Sequence, residues 1–162
     1  MDLAHHKEQS KIKSKENKRF FKSLKNIKPK VLDKIIHPLH DEVFRYTNCL
    51  ECANCCKTTG PLFTDKDISR IAKHLRIKPL RFIERYLRID EDIDYVLQTI
   101  PCTFLREDNY CSIYEVRPKA CREFPHTDKI KQYQILKLTE RNIEVCPAVY
   151  DVVEKVKKEL VK

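Results

Sequence analysis

The sequence predicts a small, mostly helical α+β domain with a short β-hairpin. Apolar residues recur at helical spacing in several segments, two short runs between residues 95 and 105 have strand character, and the composition of the first 28 residues sets them apart. At 162 residues the chain fits one domain, expected over 29–162, preceded by a basic tail over 1–28.

The tail is the first element to justify. Residues 1–30 hold ten basic and three acidic side chains, leaving the remainder close to neutral. The first 28 residues are rich in Lys, Ser, Asn, Glu and Gln and poor in spaced apolar residues, which predicts a flexible segment that buries too little surface to offset its ordering entropy. Within it, Phe20, Phe21, Leu24 and Ile27 fall at helical spacing among Lys18, Arg19, Lys22, Lys25 and Lys28, the pattern of a short basic amphipathic helix.

After Pro29, the residues Val31, Leu32, Ile35, Ile36, Leu39 and Val43 follow a helical period, with Pro38 expected to kink or end the helix. Thr64-Asp-Lys-Asp67 resembles a capping box with Asp in place of Glu, and Ile68, Ile71, Ala72 and Leu75 form one apolar face behind it. Pro79 opens a second helix with Phe82, Ile83, Tyr86 and Leu87 as its buried stripe, giving a helical hairpin. Acidic residues 90–94 read as a loop, Tyr95–Ile100 and Thr103–Leu105 as strands, and Glu107-Asp-Asn109 as a turn before Tyr110. Gln132–Leu138 alternates in the manner of a further strand, and Pro147 opens a helix lined by Val149, Val152, Val153, Val156 and Leu160.

Several function classes are excluded by what the sequence lacks. The single glycine, Gly60, cannot build a dinucleotide fingerprint or a phosphate loop, and neither a Ser-His-Asp order nor an HExxH motif occurs. No apolar run has the length of a secretory signal or of a membrane span, so a cytoplasmic protein with reduced thiols is expected.

The chemistry is concentrated in eight cysteines: Cys49, Cys52, Cys55, Cys56, Cys102, Cys111, Cys121 and Cys146. Four fall within residues 49–56, a density hard to pair with ordinary disulfide geometry, although disulfides or inert buried cysteines are the plainer reading. Spacings of two residues, in a turn or a helix, aim several sulfurs to one side and suit metal ligation. Adjacent Cys55 and Cys56 crowd a single tetrahedral ion, so one of them is expected to serve a second site, to bridge, or to remain a reactive thiol. The remaining cysteines sit one to a loop or turn, closing long loops around a centre whose metal should stabilise the fold. Thiolates in this number fit one or two zinc sites, whereas Cys49-x-x-Cys52-x-x-Cys55 and the Cys146-Pro147 step match parts of a bacterial four-iron cluster motif. The expectation is therefore a domain organised around a polycysteine metal centre, holding an iron–sulfur cluster or zinc.

Four ordered blocks carry a resemblance: Cys49-x2-Cys52-x2-Cys55-Cys56, Pro101-Cys102-Thr-Phe-Leu105, Cys111-Ser-Ile-Tyr114, and Arg117-Pro118-x2-Cys121-Arg122-x-Phe124-Pro125. Over about residues 44–150 the chain resembles the CxxCxxCC family of zinc- or iron-chelating proteins, also called the YkgJ-type cysteine-cluster family. The resemblance implies a bacterial cytoplasmic protein with a cysteine-bound metal or iron–sulfur centre. Flagellin lysine methylases are similar in this cluster, which adds a protein-modifying enzyme as an alternative, although nothing in the chain resembles the rest of such an enzyme.

Carrying over the family's Arg-Pro and Cys-Arg steps makes Arg117 and Arg122 the fixed cations beside the thiolates, with surface pairing to Glu115 or Glu123 as the plainer role. Phe63, Phe104, Tyr114 and Phe124 are expected to pack around the centre as core. His126, or His37 with His40, are the histidines that ligation would draw on. The expected function is metal or iron–sulfur binding with a redox or metal-handling role, in a monomer with a protein partner that the sequence does not identify. A third reading is an adaptor for nucleic acid or a membrane surface, with structural zinc and phosphate contacts from Lys7 to Lys30.

Overall fold

Amphipathic helices account for most of the chain, and the computed structural model describes residues 2–161. Met1 and Lys162, the outer ends of the expected tail and domain, lie outside the described residues. In chain order the elements are α1 (Leu3–Ile12), α2 (Ser14–Leu24), α3 (Pro29–Phe44), α4 (Cys49–Cys52), α5 (Asn54–Thr58), β1 (Leu62–Phe63), α6 (Asp65–His74) and α7 (Pro79–Tyr86). There follow β2 (Leu87–Ile89), β3 (Tyr95–Leu97), α8 (Lys119–Glu123), α9 (Leu136–Val145) and α10 (Pro147–Val161), with single 3-10 turns at Tyr114–Val116 and Gln132–Gln134. The fold is α+β and mostly helical, as the sequence predicts. The chain forms two compact units, one from the stretch up to Asn48 together with the stretch from Pro125 onward, the other continuous from Cys49 to Phe124.

The first unit contains α1, α2, α3, α9 and α10 around a core of Phe21, Leu24, Leu32, Ile36, Val43, Leu136, Ile143 and the valines of α10. Residues 1–28, expected as a flexible tail, are helical over most of their described length. Their few apolar residues are concentrated on one face, so Phe21 and Leu24 are 4% and 2% exposed despite the polar composition around them. Polar anchors complete the docking: His6 Nε2 donates to the Ile143 carbonyl at 2.7 Å, and Lys157 Nζ reaches Glu16, Asn17 and Glu154 at 2.5, 2.6 and 2.7 Å. Lys13 also pairs with Glu154.

Two expectations for this unit change: Pro38 does not end its helix, and the strand expected at 132–138 is absent. Helix α3 runs through Pro38 to Phe44, because Pro38 and Lys34, whose carbonyl loses its donor, are exposed to water while Leu32, Ile36 and Val43 stay buried along one stripe. The alternation at 132–138 produces no strand; it gives a 3-10 turn and then α9, where Leu136, Thr139, Asn142 and Ile143 form a buried helical face. The longer 3.6 period outweighs a short alternation that ends inside it.

The second unit packs α6 and α7 against a three-stranded antiparallel sheet of order β1-β3-β2. The register pairs Leu62 with Val96 and Phe63 with Tyr95 on one side of β3, and Leu87 with Leu97 and Ile89 with Tyr95 on the other. Asp90 Oδ1 accepts the amides of Asp92 and Asp94, both at 3.0 Å, closing the β2–β3 hairpin where the acidic loop was expected. The expected capping box is present: Thr64 Oγ1 accepts Asp67 N and the Asp67 carboxylate accepts Thr64 N. Phe82, fully buried, is the centre of a core with Phe63, Ile68, Ile71, Ala72, Leu87, Leu97, Phe104 and Ile113. Strand β1 was not expected, being only two residues long. Among the described residues no helix is long and apolar enough to cross a membrane.

Two outcomes are expected. Leu24→Ala should cost about 2–5 kcal/mol in urea unfolding, the range for a buried leucine, whereas a solvated tail would lose next to nothing. Burial alone would raise the Glu154 carboxyl, yet hydrogen bonds from Lys13 and Lys157 outweigh it and hold the group below its ordinary value of 4.5. That stability is present above pH 4.5 and lost as pH falls through the folded value. The unfolding free energies of wild type and Glu154→Gln should therefore differ at neutral pH and converge in acid.

Candidate metal centre

The cysteine-rich stretch is neither one helix nor an open turn. It forms two short helical turns, α4 and α5, separated by Ala53 at φ 47° and ψ 17°, in the left-handed region. An L-residue there costs about 1–2 kcal/mol relative to the right-handed conformation. Ala53 is 4% exposed, so the small methyl is held inside the reversal that changes the direction of the chain between Cys52 and Cys55. The sulfurs of Cys55 and Cys56 lie 4.0 Å apart.

The other thiols of this unit are brought in by backbone pairing. Cys102 N donates to the Cys56 carbonyl at 2.8 Å, pinning the segment after Pro101 to α5. The expected hairpin beyond it exists as a single antiparallel bridge, Leu105 to Cys111, closed by Arg106 N to Tyr110 O at 2.9 Å and Ser112 N to Phe104 O at 2.8 Å. Cys121 lies on α8, whose first turn is set by Arg122 N donating to Pro118 O at 3.1 Å. Cys146 belongs to the other unit, at the C-terminal end of α9, where it packs beside that unit's core. Among the described residues no disulfide links any two cysteines.

Electrostatics relate the thiols to one another. Burial pushes Cys102 up to about 11 and Cys121 up to about 12, with Cys56 raising both further. Cys49 and Cys111 are raised in the same way, first by burial and then by neighbouring thiols. Cys56 is raised furthest, first by its hydrogen bond with Cys55 and then by burial. Cys56 is thus within electrostatic reach of Cys49, Cys55, Cys102, Cys111 and Cys121, while Cys52 acts on Cys49.

Opposing influences favour the thiolate. The backbone N–H groups of Phe104 and Leu105 point to Cys102, and that of Ile113 to Cys111, each lowering the thiol it faces. Two cations act on the group: Arg117 lowers Cys49, Cys111 and Cys121, and Lys57 lowers Cys56. The Arg117 guanidinium lies 3.8 Å from the Tyr114 ring centroid and donates to the Tyr114 carbonyl at 2.6 Å. Arg122, at the end of α8, is exposed.

Phe63 and Phe104 are core residues, Phe104 stacked on Phe82 at 6.1 Å. The three candidate histidines lie in the first unit, engaged in its hydrogen bonding: His37 Nε2 donates to Lys129 O at 2.8 Å, His40 is hydrogen-bonded to Thr127 Oγ1 at 2.7 Å, and the His126 carbonyl accepts from Gln132 at 2.8 Å. Sequence reasoning missed Asn109, whose side chain donates to the Glu51 carbonyl at 3.1 Å and ties the 107–109 turn to α4. Its only sequence signal was an Asn in a turn.

A soft, thiol-rich donor set with amides aimed at two of its sulfurs suits zinc or iron. Among the described residues no three His, Cys, Asp or Glu side chains converge closely enough to hold an ion as they stand. The donor chemistry fits a thiolate-bound metal; a closed cage requires the sulfurs to draw together.

Raised thiols are poor nucleophiles, because the thiolate is the reactive form. In the reduced, metal-free chain at pH 8, Cys121 and Cys102 should react with iodoacetamide roughly 10-fold or more slowly than an unperturbed thiol, since the loss of thiolate outweighs its higher intrinsic nucleophilicity. Arg117→Met should slow Cys49, Cys111 and Cys121 further, measured by mass spectrometry of the alkylated peptides.

Comparison with known proteins agrees with this chemistry. Residues 48–147 match the model of the CxxCxxCC family, described as a "putative zinc- or iron-chelating domain". An uncharacterized protein of Methanocaldococcus jannaschii, MJ0661, is 32% identical over 87 residues, covering 52% of this chain and 47% of the relative. The chain thus spans about half the length of this curated relative. No solved structure matches it. With more than half of its length inside the family model and every cysteine within the matched residues, the chain belongs to the CxxCxxCC family.

Proposed function

We propose that this is a cytoplasmic metal-binding protein in which the thiols of the Cys49–Phe124 unit hold an iron–sulfur centre or zinc, for redox chemistry or metal handling. One observation carries the reading: Cys56, from α5, is in electrostatic reach of thiols on α4, at both flanks of the Leu105–Cys111 bridge and on α8. Deprotonating these groups together without a cation is unfavourable, and a bound metal supplies the missing charge.

The ligands proposed are Cys49, Cys52, Cys56, Cys102, Cys111 and Cys121, with Arg117 offsetting the remaining negative charge. Cys55 is proposed as the thiol left over when Cys56 turns to the metal, and Cys146 as a structural residue of the first unit. The Cys49-x-x-Cys52 spacing with further thiolates beyond it suits an iron–sulfur centre, and the closed chemistry of four thiolates suits zinc.

Anaerobic purification with a visible spectrum and metal and sulfide analysis on one sample decides between them. A brown protein with iron and acid-labile sulfide establishes the cluster. A colourless protein with tightly held zinc and no sulfide establishes the zinc site. Cys56→Ser should lower metal content more than Cys55→Ser, and chelation should lower the Tm of the wild type. A chain with neither metal would overturn the reading.

A further inference from the structure

One carboxylate in the second unit serves two purposes at once. Asp67 Oδ2 accepts Thr64 N at 3.0 Å and Thr64 Oγ1 at 2.7 Å, completing the cap of α6. Asp67 Oδ1 accepts Arg70 Nη2 at 2.5 Å and Lys119 N at 3.1 Å, which has nothing to do with the cap. Arg70 in turn donates from Nε to Val116 O at 3.3 Å and from Nη2 to Arg117 O at 2.9 Å. A single ion pair on α6 thus satisfies three backbone groups within Val116–Lys119, a segment with no ladder partners of its own.

That segment matters because of what it carries. Arg117 lies inside it, and α8, with Cys121, begins at its end. Asp67 is 2% and Arg70 31% exposed at the side chain. A buried carboxylate–guanidinium pair gains little over an apolar replacement of the same shape, because desolvation offsets the attraction. What it supplies in excess of packing is direction: a forked donor and a two-sided acceptor fix one backbone path. We propose that Asp67 and Arg70 are positioning residues that hold Arg117 and Cys121 towards the thiol group, and so set how tightly that group takes up a metal ion. This rests on the metal-binding reading above.

The test is uptake of Co2+ and Zn2+ by the full, reduced chain, with Co2+ followed through its sulfur-to-metal absorption and Zn2+ by chelator competition. Arg70→Met, at a partly exposed position, should weaken both by about 10–100-fold, the range for groups that orient ligands, and should reduce the cobalt–sulfur absorption at saturation. Asp67→Asn keeps one acceptor oxygen and should behave alike. Arg70→Lys, which keeps the charge but lacks the fork, should recover only part of the loss. Thr64→Ala removes the cap and one hydrogen bond to Asp67 Oδ2 but leaves the Oδ1 contacts to Arg70 and Lys119; it should lower the Tm yet leave both affinities within about twofold of wild type. Arg70→Met binding as tightly as wild type, or Thr64→Ala weakening binding equally, would overturn the positioning role while leaving the metal centre intact. A wild-type chain that takes up neither ion would overturn the metal reading, and the positioning role with it.

Discussion

A thiolate buried beside other thiolates is stable only when positive charge stands among them. The second unit is arranged under that constraint. Burial and mutual proximity raise its thiols, while amide dipoles at Cys102 and Cys111 and the guanidinium of Arg117 pull the other way. Two cationic side chains and a few amides do not offset burial at Cys49, Cys56, Cys102, Cys111 and Cys121, whose thiols stay raised. The same balance favours a cation whenever one is supplied, since each proton released removes a penalty that burial imposed. The helical hairpin and the small sheet provide the apolar body that keeps these short loops in place.

Much of this was legible in the residues. The capping box at Thr64 and Asp67, the proline-led helices at Pro79 and Pro147 and the turn before Tyr110 rest on local chemistry that tertiary context reinforces. The 49–56 stretch was legible only in residue type: the reversal at Ala53 breaks the single turn or helix that spacing implied, and the sulfurs of Cys55 and Cys56 lie 4.0 Å apart. The failures share a cause: each depended on what a segment packs against. Residues 14–24 read as polar until the faces of α9 and α10 are there to take Phe21 and Leu24. Pro38 read as a breaker until its exposure removes the penalty. The left-handed Ala53 had no sequence signal, since glycine is the residue such a position ordinarily selects.

The candidate site was legible in residue type and less so in grouping. Spacing names cysteines, but it does not say that Cys146 falls in a different compact unit from the other seven. Nor does it separate Arg117 from Arg122, two arginines with similar sequence surroundings. The distinction is conformational. Arg117 is held against Tyr114 at the end of a 3-10 turn, whereas Arg122 is on the exposed side of a short helix.

The order in which the chain contributes to its two units bears on biosynthesis. The cysteine-bearing unit is continuous from Cys49 to Phe124, while the other needs the stretch up to Asn48 and the stretch from Pro125 onward. Translation therefore completes the second unit first and leaves α1, α2 and α3 waiting for α9 and α10. Domains fold as units as they emerge, so the thiols reach their final neighbours on a nascent chain whose N-terminal helices still lack the partners of their apolar faces. The helical unit, by contrast, closes only when α9 and α10 follow, so its apolar faces are the last in the chain to be covered.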